Sequence, residues 1–391
     1  MENDRFIKSN AMERNKHRRQ HLMSHSSSAP LRIHLNVDQD DLAYVPNHIH
    51  PFLVQELHWW RFVDIDVTSG QYSFARKPTT LSLQCPTSLR SLSLKLFGSS
   101  SPSICIDLSQ HNSTSCLEHL SLGVGERIRL PDHRDTLRFP RLRSFHYKST
   151  KKRKDLEDLR CILSTCPSLE DLELGISRKS ISSTASIPGS IYLPNLTSLV
   201  LKISNQFALQ YTLDILTYPS LRELSLFIQG TRKYESEEDH AFLEPLRICD
   251  LLVRSCPSPP LEILRFLCDD AEVILSDYAA ALKDLLSSLR NLKSLELSGF
   301  ALNRVVLQVL TIPPGAPDIR LCPSLSEILL AQKSPREESD VSDELTEEMV
   351  VSRWKARSLR AVTFKLFPWL AAMKKRERMV ECSREGLEVR G

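Results

Sequence analysis

One short phrase recurs along most of this chain and constrains everything else: Leu-x-x-Leu-x-Leu, with conservative swaps. It reads Leu89-Leu92-Leu94, Leu117-Leu120-Leu122, Leu142-Phe145-Tyr147, Leu169-Leu172-Leu174, Leu196-Leu199-Leu201 and Leu221-Leu224-Leu226. Later copies are Leu261-Leu264-Phe266, Leu292-Leu295-Leu297, Leu325-Ile328-Leu330 and Leu359-Val362-Phe364, and an earlier one is Phe62-Ile65-Val67. From position 62 to 221 the copies start 27, 28, 25, 27, 27 and 25 residues apart; beyond 221 the steps are 40, 31, 33 and 34. Periods of about 20–29 residues are those of leucine-rich repeats. The last two apolar positions alternate with polar residues, as in a short strand with one buried face, while the first tucks in from the preceding turn. One such unit cannot bury its apolar face alone, whereas stacked neighbours can. The sequence therefore predicts an α/β fold: a leucine-rich-repeat solenoid of about ten to eleven repeats, with a parallel sheet on the concave side and irregular helices on the convex side.

Helices are expected between the strands. Leu156, Leu159, Ile162 and Leu163 have helical spacing before Cys166-Pro167. Leu246, Cys249, Leu252 and Val253 repeat that logic before Cys256-Pro257, and Ala281, Leu282, Leu285, Leu286 and Leu289 do so before Asn291-Leu292. Proline after a helix blocks its continuation and turns the chain toward the next strand. The order helix, then Cys-Pro or Tyr-Pro, then Ser-Leu-x-x-Leu-x-Leu stands at 166–174, 218–226 and 322–330. Tidier repeats place Asn three residues beyond the last strand leucine. Here Phe97, Gly125, Thr150 and Ser177 follow the strands, so irregular turns are expected.

The 391 residues divide into a polar, basic N-terminus (1–28), a strand–helix–strand cap (29–67), the array (68–367) and a basic C-terminal tail (368–391). In the cap, Leu31, Ile33, Leu35 and Val37 alternate as a strand, Pro51 to Trp60 reads as a helix, and Trp59 and Trp60 are expected to close the end. An acidic loop is expected at 333–345, before a helix over 344–357. The basic runs Lys151-Lys152-Arg153-Lys154 and Lys374-Lys375-Arg376-Glu377-Arg378 read as solvated segments, with a nuclear signal or anion patch as the sharper alternative.

The composition argues against several functions. Net charge is +3 with 25% charged residues, which exerts no global pull on nucleic acid or membranes. No apolar run approaches the roughly 18 residues of a membrane span, and no apolar leader is visible, so a cytoplasmic and/or nuclear location is expected. The ten cysteines are dispersed, without a CxxC pair, as in a reducing compartment and unlike a zinc site. No GxGxxG, GxxxxGK[ST], GxSxG or HExxH occurs, eleven glycines leave little room for phosphate loops, and His48, His50 and His58 have no catalytic or metal spacing. The chain reads as a non-enzyme without cofactor or metal.

The expected site is a surface. Strand residues flanking the two inner leucines point outward, and they include His119, His146, Lys148, Asp171, Glu173, Lys202, Glu223, Phe227, Arg265 and Glu296. They change from basic around 146–148 to acidic at 171–173, a mixture unlike a nucleic-acid groove. Phe227 reads either as an exposed aromatic anchor for a protein partner or as a ring packed under the 230–240 loop.

The order of four segments resembles the F-box/leucine-rich-repeat-like proteins of mushroom-forming fungi. These are Ser24–Leu35 (SHSSSAPLRIHL), Phe52–Val67 (FLVQELHWWRFVDIDV), the repeated Cys-Pro-Ser-Leu-x-x-Leu-x-Leu, and Ser352–Val362 (SRWKARSLRAV). The resemblance covers about residues 22–365. It implies that the repeats hold a target protein while an F-box docks the adaptor of a cullin-RING ubiquitin ligase. No Leu-Pro-x-Glu-Ile/Leu opening of an F-box is found here, so that adaptor is expected as a partner only if such a module lies upstream. The alternatives are a repeat scaffold with no ubiquitin role and a small-GTPase regulator. The latter class keeps a tight period with Asn after the strand, and this sequence has neither.

Overall fold

The computed structural model describes residues 31–38, 60–68, 80–84, 88–97, 103–107, 115–123, 127–129, 139–148, 159–176, 190–203, 212–228, 245–256, 258–268, 275–299, 301–313, 321–331, 342–356, 358–365, 367 and 369–391. The polar N-terminus, the cap helix, the 151–154 cluster, the three post-strand turn positions Gly125, Thr150 and Ser177, most of the acidic loop and the 230–240 loop lie outside them.

Thirteen strands form one sheet in which every neighbouring pair is parallel. In chain order they are β1 (Leu31–Asp38), β2 (Trp60–Thr68), β4 (Ser91–Phe97), β6 (His119–Leu122), β8 (Ser144–Lys148), β9 (Asp171–Ile176), β11 (Ser198–Ile203), β13 (Glu223–Ile228), β14 (Ile263–Cys268), β15 (Ser294–Gly299), β16 (Glu327–Ala331), β17 (Ala361–Lys365) and β18 (Glu388–Arg390). Successive strands are spatial neighbours throughout, so the chain advances one strand per leucine phrase and the shape is solenoid-like. The phrase explains why. Leu199 and Leu201 pair in register with Leu172 and Leu174 on one side and Leu224 and Leu226 on the other, and all six are buried. The leading leucines at 89, 117, 142, 169, 196, 221, 261, 292, 325 and 359 are buried as well. Burying a leucine is worth about 1.5–3 kcal/mol, and here the gain repeats at every layer.

The connections differ from the expected run of helices. In the N-terminal half they carry a second parallel sheet, β3 (Thr80–Gln84), β5 (Ser103–Asp107) and β7 (Arg127–Arg129), and β10 (Ile191–Tyr192) pairs with β12 (Leu216–Thr217). Thr80-Leu81-Ser82-Leu83-Gln84 alternates polar and apolar residues, a period-two pattern that favours strand over helix. Residues 159–163 are helical, with Leu159, Ile162 and Leu163 buried as expected. Longer helices begin at α1 (Pro245–Ser255), followed by α2 (Leu275–Ser288), α3 (Arg304–Leu310) and α4 (Asp343–Lys355). Each packs on the next in chain order. Ala281, Leu282, Leu285, Leu286 and Leu289 are buried as the spacing demands, but α1 is rotated from the expected phase. It buries Ile248, Leu251 and Leu252 and leaves Val253 49% exposed.

The segment 368–391, expected as a solvated basic tail, folds against the array as α5 (Leu370–Met373), α6 (Glu377–Arg384) and the closing strand β18. Met373, Met379, Cys382 and Leu387 supply its buried face. Arg376 ion-pairs with Asp343, with Glu344 (3.3 Å) and with Glu347 (2.9 Å) on α4. The Glu344 carboxyl is held down at about 2, chiefly by its own backbone amide, then by its interaction with the Asp343 carboxyl and the hydrogen bond from Arg376. The serine and tryptophan of the Ser352-Arg353-Trp354 phrase are stitches in the same region. Ile312 N–H donates to Ser352 Oγ (3.1 Å), and Trp354 Nε1 donates to a Glu385 carboxylate oxygen (2.9 Å).

A polar ladder stands on the strand-entry side. The residue just before a leading leucine donates its side chain to the carbonyl of the proline two residues before the preceding leading leucine. Ser168 reaches Pro140 (2.6 Å), Asn195 reaches Pro167 (2.8 Å), Ser220 reaches Pro194 (2.7 Å) and Asn291 reaches Pro259 (3.4 Å). Proline supplies a free acceptor while removing a competing donor. This is the physical content of the repeated Pro-Ser-Leu and Pro-Asn-Leu. Ser168→Ala is expected to cost about 1 kcal/mol, read as a shift in the denaturant midpoint; an unchanged midpoint would make the ladder incidental.

Candidate functional site

Alternate residues of a strand share a face, and the in-phase register stacks them into rows. The face opposite the buried leucines carries three rows, and all ten surface residues named from the sequence fall on them. His119, Asp171 and Glu223 lie in the first row, nearest the strand starts. The second row holds His146, Glu173, Arg265 and Glu296. Lys148, Lys202 and Phe227 lie in the third. His119, His146, Lys148, Asp171 and Lys202 are exposed, and the other five are half-buried.

Several of these residues act in groups. Arg265 is clamped between Glu223 and Glu296, with Nε 3.2 Å from the latter, and also donates to Ser225 Oγ (3.2 Å). Lys202 Nζ bonds Glu173 at 2.5 Å and stands 5.7 Å from the centre of the Phe227 ring, a cation–π distance. Phe227 is thus propped from one side while its register neighbour on the other is Leu267. Lys148 lies along Gly175, where any side chain would meet the lysine stem: a Cβ there would stand 2.9 Å from Lys148 Cγ. Asp171 sits above the usual carboxylate range. Desolvation between neighbouring strands is the main cause; Glu170 and then Glu223 add to it, while His146 and His119 pull the other way.

The sequence reading missed the apolar members of this face. Val200, Ile263, Leu267 and Leu329 occupy outward register positions and are half-buried. Their signal was present: in Leu199-Val200-Leu201 and Ile328-Leu329-Leu330 the apolar–polar alternation fails, so both strand faces are apolar there.

Along the strand-entry rim, charges alternate with the stacking. Arg90 faces Glu118 (3.8 Å), Arg143 faces Glu170 (3.8 Å), and Glu262 meets both Arg222 (3.9 Å) and Lys293 (2.6 Å). The hydrogen bond from Lys293 is the main reason Glu262 lies below its usual range. A shallow cleft of about 660 Å³ opens at this rim between Glu118, Arg141, Arg143, Ser168, Glu170 and Asn195.

No protein-family model and no curated protein matches the chain. Among the described residues no group of three or more His, Cys, Asp or Glu side chains is placed to hold a metal ion. Among them, too, no helix is long and apolar enough to cross a membrane. Buried thiols are held as acids. Burial pushes Cys322 up to about 12 and raises Cys166 further, and both donate to carbonyls, of Leu286 (3.1 Å) and Ile162 (3.0 Å). The sheet face can offer charge, hydrogen bonds and apolar contact over many strands, which suits a macromolecular partner better than a small substrate.

Proposed function

We propose that the chain is a leucine-rich-repeat protein of about ten to eleven repeats whose concave face captures another protein. We propose further that it is the substrate-recognition part of an F-box-type ubiquitin-ligase receptor acting in the cytoplasm and/or nucleus. The observation carrying the capture reading is the half-buried ring of Phe227. It stands on an in-register face with Val200 and Leu267, with the charged Lys202 beside it and Arg265 on the neighbouring strand. An apolar centre inside a polar rim is the usual anatomy of a protein-binding hot spot. The mixed charges of the face favour a protein over nucleic acid. The ubiquitin reading rests on the four-segment resemblance alone, and a scaffold without a ubiquitin role is the alternative.

Phe227→Ala is expected to reduce capture of the principal partner about tenfold, the size of a typical aromatic hot spot of about 1.4 kcal/mol or more, with the melting curve little changed. Comparative pull-down with quantitative mass spectrometry measures it. An identical set of captured proteins at identical yield rejects the face as the binding site. Recovery of a cullin-RING adaptor with the native chain supports the ligase role, and capture of a partner without any adaptor supports the scaffold.

A further inference from the structure

The open face is electrically polarised across its width. From β8 to β18 the first row holds Asp171, Glu223, Glu327 and Glu388 and no Lys, Arg or His. From β8 to β17 the third row holds Lys148, Lys202 and Lys365 and no carboxylate. Glu223 is occupied by Arg265, and Lys202 by Glu173. Asp171, Glu327, Lys148 and Lys365 form no ion pair among the described residues, and all four are exposed, with Lys148 on the strand next to that of Asp171 at one end and Lys365 on the strand next to that of Glu327 at the other. The apolar residues Val200, Phe227, Leu267 and Leu329 lie between these two ends.

The dimensions select the occupant. The first and third rows are four residues apart along each strand, about 13 Å at 3.3 Å per residue. A helix with its side chains is about 10–12 Å across and touches both rows at once, whereas a single extended strand covers about 5 Å and reaches only one. Asp171 and Glu327 are five strands apart, about 24 Å at 4.8 Å per strand, which a helix crosses in about 16 residues. Every strand inside the sheet already has both neighbours, so the face offers side chains and no free backbone edge to an added strand.

We infer that the partner segment is an amphipathic α-helix of about six turns laid across the strands, long enough to span the roughly 34 Å from Lys148 to Lys365, its apolar stripe on Val200, Phe227 and Leu267. Basic residues line its flank over Asp171 and Glu327, and acidic residues line the flank over Lys148 and Lys365. This inference rests on the proposed capture of a protein by this face and names the form that the captured segment takes. Segregated charge also fixes the direction in which the helix lies, because reversing it would bring like charges together.

The test uses the full chain and synthetic 21-residue stapled helices with one leucine stripe. One peptide has Arg on one flank and Glu on the other. A second has the same composition with the charges mixed over both flanks, and a third carries two central prolines. Fluorescence anisotropy at low salt is expected to show the segregated helix binding at least about tenfold tighter than either control, a margin of two or more complementary charge contacts. The pair Asp171→Lys with Glu327→Lys should lose that advantage and prefer a helix with Glu on both flanks. The milder pair Asp171→Asn with Glu327→Gln should fall between, with circular dichroism confirming an intact array for both. Equal binding of the mixed or proline peptide, tighter binding of a single-stranded oligonucleotide, or unchanged affinity in the lysine pair overturns the inference. If no helix binds while Phe227→Ala still lowers protein capture, the helical form is wrong and the binding face stands; if Phe227→Ala also changes nothing, both are wrong.

Discussion

A Leu226→Asp chain is expected to lose about 5 kcal/mol or more and to melt the middle of the array. Leu226 is 1% exposed on β13 and packs in register between Leu201 and Phe266, both fully buried. The substitution forfeits the transfer energy of a buried leucine, about 1.5–3 kcal/mol. It also places a carboxylate where no partner exists, which costs several kcal/mol even if the group takes up a proton. In a stack whose layers hold only their neighbours, damage spreads to adjacent layers first. Amide hydrogen exchange should therefore quicken most over β11, β13 and β14 and least over β17 and β18. Lys202→Ala, one strand away but on the open face, should change the urea midpoint little. A Leu226→Asp chain that melts like the native one would refute the layered core.

The second large effect concerns Arg353, a buried cation that forms no ion pair among the described residues. Its side chain is fully buried on α4; Nε donates to the carbonyl of Leu310 (2.7 Å) and Nη1 to that of Leu321 (3.1 Å), while Nη2 has no hydrogen-bond partner among the described residues. Leu310 is the last residue of α3, where carbonyls lack helical partners. Leu321 precedes Cys322, whose φ of 48° lies in the left-handed region. Arg353 therefore satisfies two carbonyls that the chain itself leaves open, and burial lowers its pKa as the cost of doing so. Arg353→Ala should cost about 3–5 kcal/mol, from two orphaned acceptors and the cavity left behind. Arg353→Met fills most of the volume without the hydrogen bonds and should cost about half as much. Urea unfolding monitored at Trp354 and Trp369 measures both. A Met variant as stable as the native chain would mean that desolvation of the guanidinium cancels what its two bonds contribute.

How much was readable follows from the range of each interaction. The strands were legible because the leucine phrase states period, face and register together, and Leu172, Leu199 and Leu224 align as that phrase requires. The open-face residues followed at once, since whatever flanks the buried pair must point outward. What eluded the sequence is decided at long range. Lys374 to Arg378 looks like a solvated basic run, yet Arg376 reaches carboxylates on α4 some thirty residues away. Phase on α1 was misjudged at Val253, which is apolar yet points outward, because the adjoining elements take up Ile248, Leu251 and Leu252, with Cys249 only partly covered. Short strands such as β3 were hidden for a different reason. They lie in connections whose length suggested helices, and only their polar–apolar alternation marked them.

The ladder from Ser168, Asn195, Ser220 and Asn291 to the prolines of the preceding layer has a consequence for how such a chain can change. Each hook sits a fixed distance before its strand, so strand spacing is pinned locally, whatever length of chain lies between one strand and the next. Insertions behind the sheet can accumulate while the front keeps a constant ruler, as in the step of 31 residues from Leu261 to Leu292, which Asn291 still hooks to Pro259. A ligand matched to that ruler would still fit after the back of the molecule had been rebuilt.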